Sequence, residues 1–181
     1  MRFKGSGILK GASNMWKVRH EKSEDCAEIS ELTRRAFEPM EYSNGDEQKM
    51  INALRSSGRL ALSLVVEHRG SLVGHVAFSK GVCASALTDW YALGPISVEP
   101  KFQKRGIGTA LIEAGLSQLN SIRSLGCVLV GDPNYYQRFG FVLAPKFSPP
   151  RQPAEYFMMQ MFGKDEPPSG LDFDPAFYDP L

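Results

Sequence analysis

The sequence has no excess of charge of either sign. Its 21 lysine and arginine residues nearly balance 20 aspartate and glutamate residues, which gives a formal net charge of +1 at pH 7. Without a basic excess, the chain as a whole produces no field that attracts a polyanion. We therefore expect neither nucleic acid nor an anionic membrane as a partner.

Cysteine is scarce, and long apolar runs are missing. Cys26, Cys83 and Cys127 are odd in number and include no close pair, so the sequence predicts neither a disulfide framework nor a zinc site. This usage fits a reducing compartment, and we expect a cytoplasmic protein that holds no metal. No run approaches the roughly 20 apolar residues that cross a bilayer, and the N-terminus lacks the apolar stretch of a signal peptide.

The remaining composition is that of one globular domain. Hydrophobic residues make up 43% and charged residues 23% of the 181 residues, values that are ordinary for a chain with a substantial core. Residues 1–14 are rich in Gly, Lys and Ser, so we expect them to be a disordered leader or tag. We place the domain at 15–163. Residues 164–181 are rich in Pro, Asp and Gly, which predicts an extended tail.

Hydrophobic periodicity predicts a mixed α/β protein in which helices flank one sheet. Helices are predicted over 23–38, 47–55, 108–125 and 135–139. Strands are predicted over 16–20, 62–67, 72–79, 93–98, 127–130 and 156–162, and another one begins at Gly140. The strands on either side of residues 68–71 should pair antiparallel, because Gly70 can adopt a positive φ in a hairpin turn.

The most informative segment is a strand, a basic turn and a helix start between residues 93 and 111. Free N–H groups at a helix N-terminus favour an anion, and Gly106 and Gly108 would let a pyrophosphate approach the main chain closely. A Walker loop requires a lysine after its last glycine, and none follows Gly108. A Rossmann fingerprint requires a small residue where Leu111 stands. The segment therefore predicts a pyrophosphate site of a different kind.

This segment resembles the pyrophosphate loop of the GNAT superfamily of acetyltransferases, which reads Gln or Arg, two residues, Gly, one residue, then Gly or Ala. The preceding strand is similar to the family's central strand, whose backbone pairs with the pantetheine arm of CoA. The resemblance implies a GNAT fold with a mixed, mostly antiparallel central sheet, and acetyl-CoA as the acetyl donor. The implied cofactor-binding residues are Ile96, Ser97, Val98, Gln103, Lys104, Arg105, Gly106, Ile107, Gly108 and Thr109.

A second match lies downstream, where residues 136–141 resemble the family's Tyr, three residues, Gly-Phe. The spacing fits Tyr136 rather than Tyr135, and the resemblance implies that Tyr136 protonates the departing CoA thiolate. Segments 73–79 and 131–136 are similar to the YhbS type of N-acetyltransferases, and the resemblance covers roughly residues 16–162. Many relatives carry an asparagine that contacts pantetheine at the position where this chain has Leu129. The resemblance therefore implies no such contact here.

The general base is left open by the sequence. An amine that is protonated near neutrality must lose a proton before it attacks a thioester, and the candidates are Glu67, His75, Glu99 and water. Glu99 is our catalytic candidate because it directly follows the cofactor strand. His75 shares a strand face with Val73 and Ala77, which favours a packed structural role.

The acceptor would be an amine-bearing small molecule or a protein amine. The three cysteines stand in apolar surroundings, which favours core packing over an acetyl-cysteine step and hence direct transfer in a ternary complex. Residues 38–47 are acidic, which suits a cationic amine and equally suits an ordinary solvated loop. A non-catalytic module that binds acyl-CoA with the same fold is the alternative function, and a homodimer is left open.

Overall fold

The computed structural model describes residues 16–180, so the expected leader at 1–14 lies outside the described residues. Within this range the helices are α1 (Cys26–Phe37), α2 (Glu47–Ser56), α3 (Ile107–Ser121) and α4 (Pro133–Tyr136). The strands are β1 (Val18–His20), β2 (Leu60–His68), β3 (Ser71–Cys83), β4 (Ala86–Val98), β5 (Gly126–Val130), β6 (Val142–Leu143), β7 (Phe157–Met161) and β8 (Leu171–Asp172).

One sheet carries all eight of these strands, in the order β1-β2-β3-β4-β5-β7-β6, with β8 paired to β3. Each pairing is antiparallel except that of β4 with β5, which is parallel. Apolar residues of α1 and α2 cover one face of β2 and β3, and α3 covers the other face. The predicted mixed, mostly antiparallel sheet flanked by helices is confirmed.

Helix α3 lies unusually close to the sheet because two glycines remove side chains from the contact. A Cβ atom on Gly74 of β3 would lie 2.4 Å from Cγ2 of Ile107, and one on Gly115 would lie 2.3 Å from the ring of Phe78. Neither distance is compatible with a real Cβ atom. These two glycines therefore let the N-terminus and the middle of α3 pack closely against β3, and the N-terminus of α3 lies beside the end of β4.

The two central hairpins differ in how well their turns could be predicted. Arg69 and Gly70 join β2 to β3 with φ values of 52° and 80°, the positive φ pair of a type I′ turn, and this predicted hairpin is confirmed. Ala84 and Ser85 join β3 to β4 with φ values of 47° and 68°. The second turn contains neither glycine nor asparagine, so it was not predicted, and β3 and β4 extend beyond the strands predicted over 72–79 and 93–98.

The C-terminal segment packs on the sheet rather than forming the extended tail that we predicted for residues 164–181. Strand β8 pairs with Val82 and Cys83 at the end of β3. Phe173 is buried in a cluster with Trp90 and Phe157. The prediction was wrong for residues 171–177 because composition weighed Pro, Asp and Gly and overlooked the apolar residues among them.

Candidate active site

Strand β4 has one complete edge and one incomplete edge. It pairs with β3 from Ala86 to Val98, whereas β5 pairs with β4 only at Trp90, Tyr91 and Ala92. Beyond Ala92 the two parallel strands no longer pair, although β5 continues to pair with β7 as far as Val130. This edge of β4 over residues 93–98 therefore has no paired strand among the described residues, and we call the space beside it the cleft.

The register of β3 and β4 decides which backbone groups face this cleft. The N–H of Glu99 donates to the carbonyl of Val73 in β3 at 3.0 Å, and alternate residues of a strand send their polar groups to opposite edges. The backbone groups of Ser97 thus point to β3, while those of Ile96 and Val98 point into the cleft. The side chain of Ser97 is buried and donates to Thr33 at 3.1 Å, so Ser97 presents no polar group to the cleft.

The turn after β4 brings the N-terminus of α3 to the mouth of the cleft. Gly106 caps the helix with a φ of 83°, a left-handed conformation that favours glycine. The first intrahelical bond is donated by Ala110 to the carbonyl of Gly106, which leaves the preceding amides without a helical acceptor. The first turn of α3 carries no acidic residue. We call these N–H groups the open amides of α3, and they can donate hydrogen bonds to an anion.

The polar side chains of this turn have different roles. The amide of Gln103 donates to the carbonyl of Val98 at 3.3 Å, which ties the turn to the end of β4. Lys104 and Arg105 are exposed, and neither forms an ion pair within residues 16–180. Their charges are therefore available to a phosphate. The indole nitrogen of Trp16 donates to the carbonyl of Arg105 at 2.7 Å. Trp16 was predicted only as a strand residue.

Helix α4 lies on the same face of the sheet as α3 and begins as predicted. Asp132 caps it by accepting a hydrogen bond from the N–H of Asn134 at 2.9 Å. The ring of Tyr136 lies against Gly131, where a Cβ atom would be 2.4 Å from Cε2. Burial raises the pKa of Tyr136, so its hydroxyl keeps its proton over the physiological range and could donate it.

The neighbouring tyrosine lies closer to the α3 N-terminus. A Cβ atom on Gly108 would be 2.6 Å from the hydroxyl oxygen of Tyr135, and the two tyrosine rings meet edge to face at 5.0 Å. The guanidinium of Arg138 lies 4.0 Å from the centre of the Tyr135 ring. Both tyrosines thus line the same region, and the proton donor predicted at Tyr136 stays a prediction.

Each side chain considered as a general base is engaged elsewhere. The carboxylate of Glu99 accepts two hydrogen bonds from Arg35, at 3.0 and 3.1 Å. Glu67 forms an ion pair with Arg19 at 3.1 Å. His75 is fully buried, and burial lowers its pKa to about 4.

His75 belongs to a chain of buried polar groups on the α1 and α2 face. Glu21 accepts a hydrogen bond from the hydroxyl of Ser63 at 2.5 Å and two from Arg55 at 2.9 Å. Because Ser63 donates its proton to Glu21, it must accept from Nε2 of His75, which lies 2.9 Å away. These hydrogen bonds lie on the α1 and α2 face rather than at the cleft, so the role of His75 is structural.

A buried cysteine and the lack of a metal-binding cluster describe the rest of the polar chemistry in residues 16–180. Cys127 is fully buried, and burial raises the pKa of its thiol, which suits core packing. Residues 16–180 contain no group of three or more His, Cys, Asp or Glu side chains that could hold a metal ion. Over the same range, no helix combines the length and apolarity required to cross a membrane.

Comparison with known proteins points to one family. Residues 60–143 match the family model described as an acetyltransferase (GNAT) domain. The chain is 35% identical to the uncharacterized N-acetyltransferase YhbS of Escherichia coli K12 over 128 residues, which cover 70% of this chain and 74% of YhbS.

Solved structures agree with the sequence matches. A GNAT family acetyltransferase from Brucella melitensis, in complex with acetyl-CoA, is 42% identical and superposes with a TM-score of 0.80 over 91% of this chain and 99% of its own. The structure of YhbS from Escherichia coli, in complex with CoA, has a TM-score of 0.79 at 27% identity and covers 97% of this chain and 96% of its own.

Proposed function

This chain belongs to the GNAT family of acetyltransferases, and on that premise we propose that it transfers the acetyl group of acetyl-CoA to an amine by direct attack in a ternary complex. The observation that carries the proposal is the juxtaposition of the open β4 edge with the open amides of α3. The open β4 edge suits the amide-rich pantetheine arm, and the open amides of α3 suit the pyrophosphate. Relatives of the same fold bind CoA and acetyl-CoA.

The proposed cofactor site uses backbone groups more than side chains. The polar groups of Ile96 and the N–H of Val98 would pair with pantetheine, and the amides of Gly106, Gly108 and Thr109 would donate to the pyrophosphate. Lys104 and Arg105 would add positive charge at the mouth, while Gln103 and Ile107 hold the turn through the Val98 carbonyl and the core. This division explains why Ser97, which is turned to β3 and Thr33, contributes only to the strand.

The proposed chemical step transfers the acetyl group directly from the sulfur of acetyl-CoA to the nitrogen of the amine. The neutral amine nitrogen attacks the thioester carbonyl carbon, the carbon–sulfur bond breaks, and the CoA thiolate takes a proton from the hydroxyl of Tyr136. The proton that the amine loses returns through water to the oxygen of Tyr136, which restores its hydroxyl, and water fills this role because Glu67, His75 and Glu99 are each engaged elsewhere. A base role for Glu99 would require it to give up its two hydrogen bonds from Arg35.

The acidic segment before α2 supports a cationic acceptor. Glu38 is paired with Arg34 at 3.7 Å, and Asp46 with Lys49 at 2.7 Å, so these two charges are balanced. Oε2 of Glu47 is buried and has no hydrogen-bond partner among the described residues. We therefore propose that Glu47 helps to bind the protonated form of the acceptor amine.

The test is release of free thiol from acetyl-CoA in the presence of a panel of cationic, neutral and anionic amines. We expect amine-dependent release that is fastest for cationic amines and weakened, through a higher KM, in Glu47→Gln. Binding of acetyl-CoA without thiol release from any amine would favour a non-catalytic acyl-CoA-binding module. Failure to bind acetyl-CoA would overturn the proposed function itself.

A further inference from the structure

Three aromatic rings from distant parts of the sequence meet behind the glycine turn. The ring of His68, at the end of β2, lies 5.7 Å from that of Trp16 and 5.3 Å from that of Phe102, and the Trp16 and Phe102 rings lie 6.3 Å apart. Phe102 precedes the turn and also carries the guanidinium of Arg105 at 5.2 Å from its ring centre. The turn is therefore packed against an aromatic group made of Trp16, His68 and Phe102.

The indole of Trp16 makes the one polar contact from this aromatic group to the turn. Its N–H donates to the main-chain carbonyl of Arg105 at 2.7 Å. A peptide unit is planar and trans, so its carbonyl and its N–H point in opposite directions. Because the Arg105 carbonyl points to Trp16, the N–H of Gly106 in the same peptide unit points away from Trp16.

The φ preferences of the turn residues do not by themselves fix this orientation. Gly106 has a φ of 83° and Lys104 a φ of 60°, and glycine adopts positive and negative φ about equally well. The peptide unit between Arg105 and Gly106 could thus rotate to aim its carbonyl, rather than its N–H, at an anion. A carbonyl oxygen there would repel a pyrophosphate.

We propose that Trp16 is a positioning residue for the cofactor, which fixes the peptide unit between Arg105 and Gly106 so that the Gly106 N–H faces the pyrophosphate. The inference rests on the proposed function, since it assumes that the turn binds CoA. Trp16 acts through the backbone and touches no reacting atom. Its effect is confined to the pyrophosphate half of the ligand.

The experiment compares CoA with pantetheine, which lacks the pyrophosphate, by calorimetry on the full chain and on Trp16→Phe. Phenylalanine keeps an aromatic ring and deletes the donor. We expect Trp16→Phe to bind CoA about tenfold more weakly, as for the loss of one charge-assisted hydrogen bond, and to bind pantetheine as the parent does. Trp90→Phe is the matched control, because Trp90 is the second of two tryptophans and its indole nitrogen has no hydrogen-bond partner within residues 16–180.

The outcomes separate this inference from the proposed function. If the parent does not bind CoA, the proposed function fails. If the parent binds CoA and Trp16→Phe binds it equally well, or if Trp16→Phe loses CoA and pantetheine to the same extent, the positioning role is wrong. A measurement on the parent guards against a variant that does not fold: the indole proton of Trp16 should exchange slowly with solvent, and rapid exchange would overturn the inference.

Discussion

The polar groups on the two faces of the sheet beside β3 and β4 differ in whether the protein supplies their hydrogen-bond partners. On the closed face, covered by α1 and α2, Glu21, Ser63 and His75 form a chain of hydrogen bonds and Ser97 is bonded to Thr33, while Nδ1 of His75 has no partner among the described residues. On the open face, covered by α3 and α4, the main-chain groups of Ile96, the N–H of Val98 and the first amides of α3 have no partner among residues 16–180. Polar groups satisfied by the protein stabilise the fold, and polar groups left open are positioned for a ligand.

The largest expected effect is on ligand binding at the open face. In Gly106→Val, a branched side chain would block the approach of the pyrophosphate to the amides. Loss of two charge-assisted hydrogen bonds is worth about 3–6 kcal/mol, so calorimetry should show an affinity for acetyl-CoA that is lower on the order of 10³-fold. Gly58→Val is the control, because Gly58 also has a positive φ, 71°, and lies between α2 and β2. Unchanged affinity in folded Gly106→Val would remove the glycine turn from the site.

The buried His75 on the closed face should instead make the stability of the protein depend on pH. The imidazole of His75 titrates near pH 6.5 in the unfolded chain, whereas its pKa in the fold is about 4. Between these values the unfolded state binds one more proton, so the free energy of unfolding should fall by about 3 kcal/mol as the pH drops from 6.5 to 4. This stability is fully present above pH 6.5.

Chemical denaturation across that pH range measures the effect. His75→Gln should remove most of the slope, and His68→Gln should keep it. A slope that survives in His75→Gln would show that another group titrates. Glu21 is distinguishable: although burial raises its pKa, hydrogen bonds from Arg55 and Ser63 lower it below 4.5, and its contribution is therefore lost at lower pH.

A third expectation separates the two tyrosines of α4. Tyr136→Phe keeps the ring and deletes only the proton, so turnover should fall on the order of 10²-fold while the affinity for acetyl-CoA holds. Tyr135→Phe should affect turnover much less, since its hydroxyl lies over Gly108. Steady-state kinetics with an acceptor amine distinguish the two. A larger loss of kcat in Tyr135→Phe would reassign the proton donor.

The smallest expected effect concerns the exposed charges at the mouth of the cleft. Exposed pairs contribute about 0.2–1 kcal/mol each, so replacing both Lys104 and Arg105 by alanine should weaken acetyl-CoA binding by about two- to thirtyfold. Binding should also depend less on salt, because screening acts on the removed charges. A double variant with the parent's salt dependence would show that both side chains are merely solvated.

The sequence predicted the elements that follow local rules. Helix α3 was predicted over 108–125 and observed at Ile107–Ser121, since its apolar period and glycine start are local signals. The Asp132 cap and the Gly70 turn were likewise legible from the chain. These features include the glycine turn and the tyrosine helix, and so the candidate cleft was predictable in outline.

What escaped prediction depends on contacts between distant residues. The indole of Trp16 reaches Arg105 across 89 positions in the sequence, and the ion pair of Arg35 with Glu99 spans 64. Strand β8 exists because β3 extends to Cys83 and offers an edge, although the segment itself has turn-like composition. No periodicity or local motif encodes such pairs.

The most direct test of the contrast between the two faces is an NMR titration of the ¹⁵N-labelled protein with acetyl-CoA. Amide resonances of Val98, Gly106, Gly108 and Thr109 should shift and saturate together, while those of Ser63 on the closed face stay in place. Saturable shifts confined to the closed face, or to the separate cavity lined by Arg59 and Arg151 near β8, would contradict the account, as would the absence of any shift.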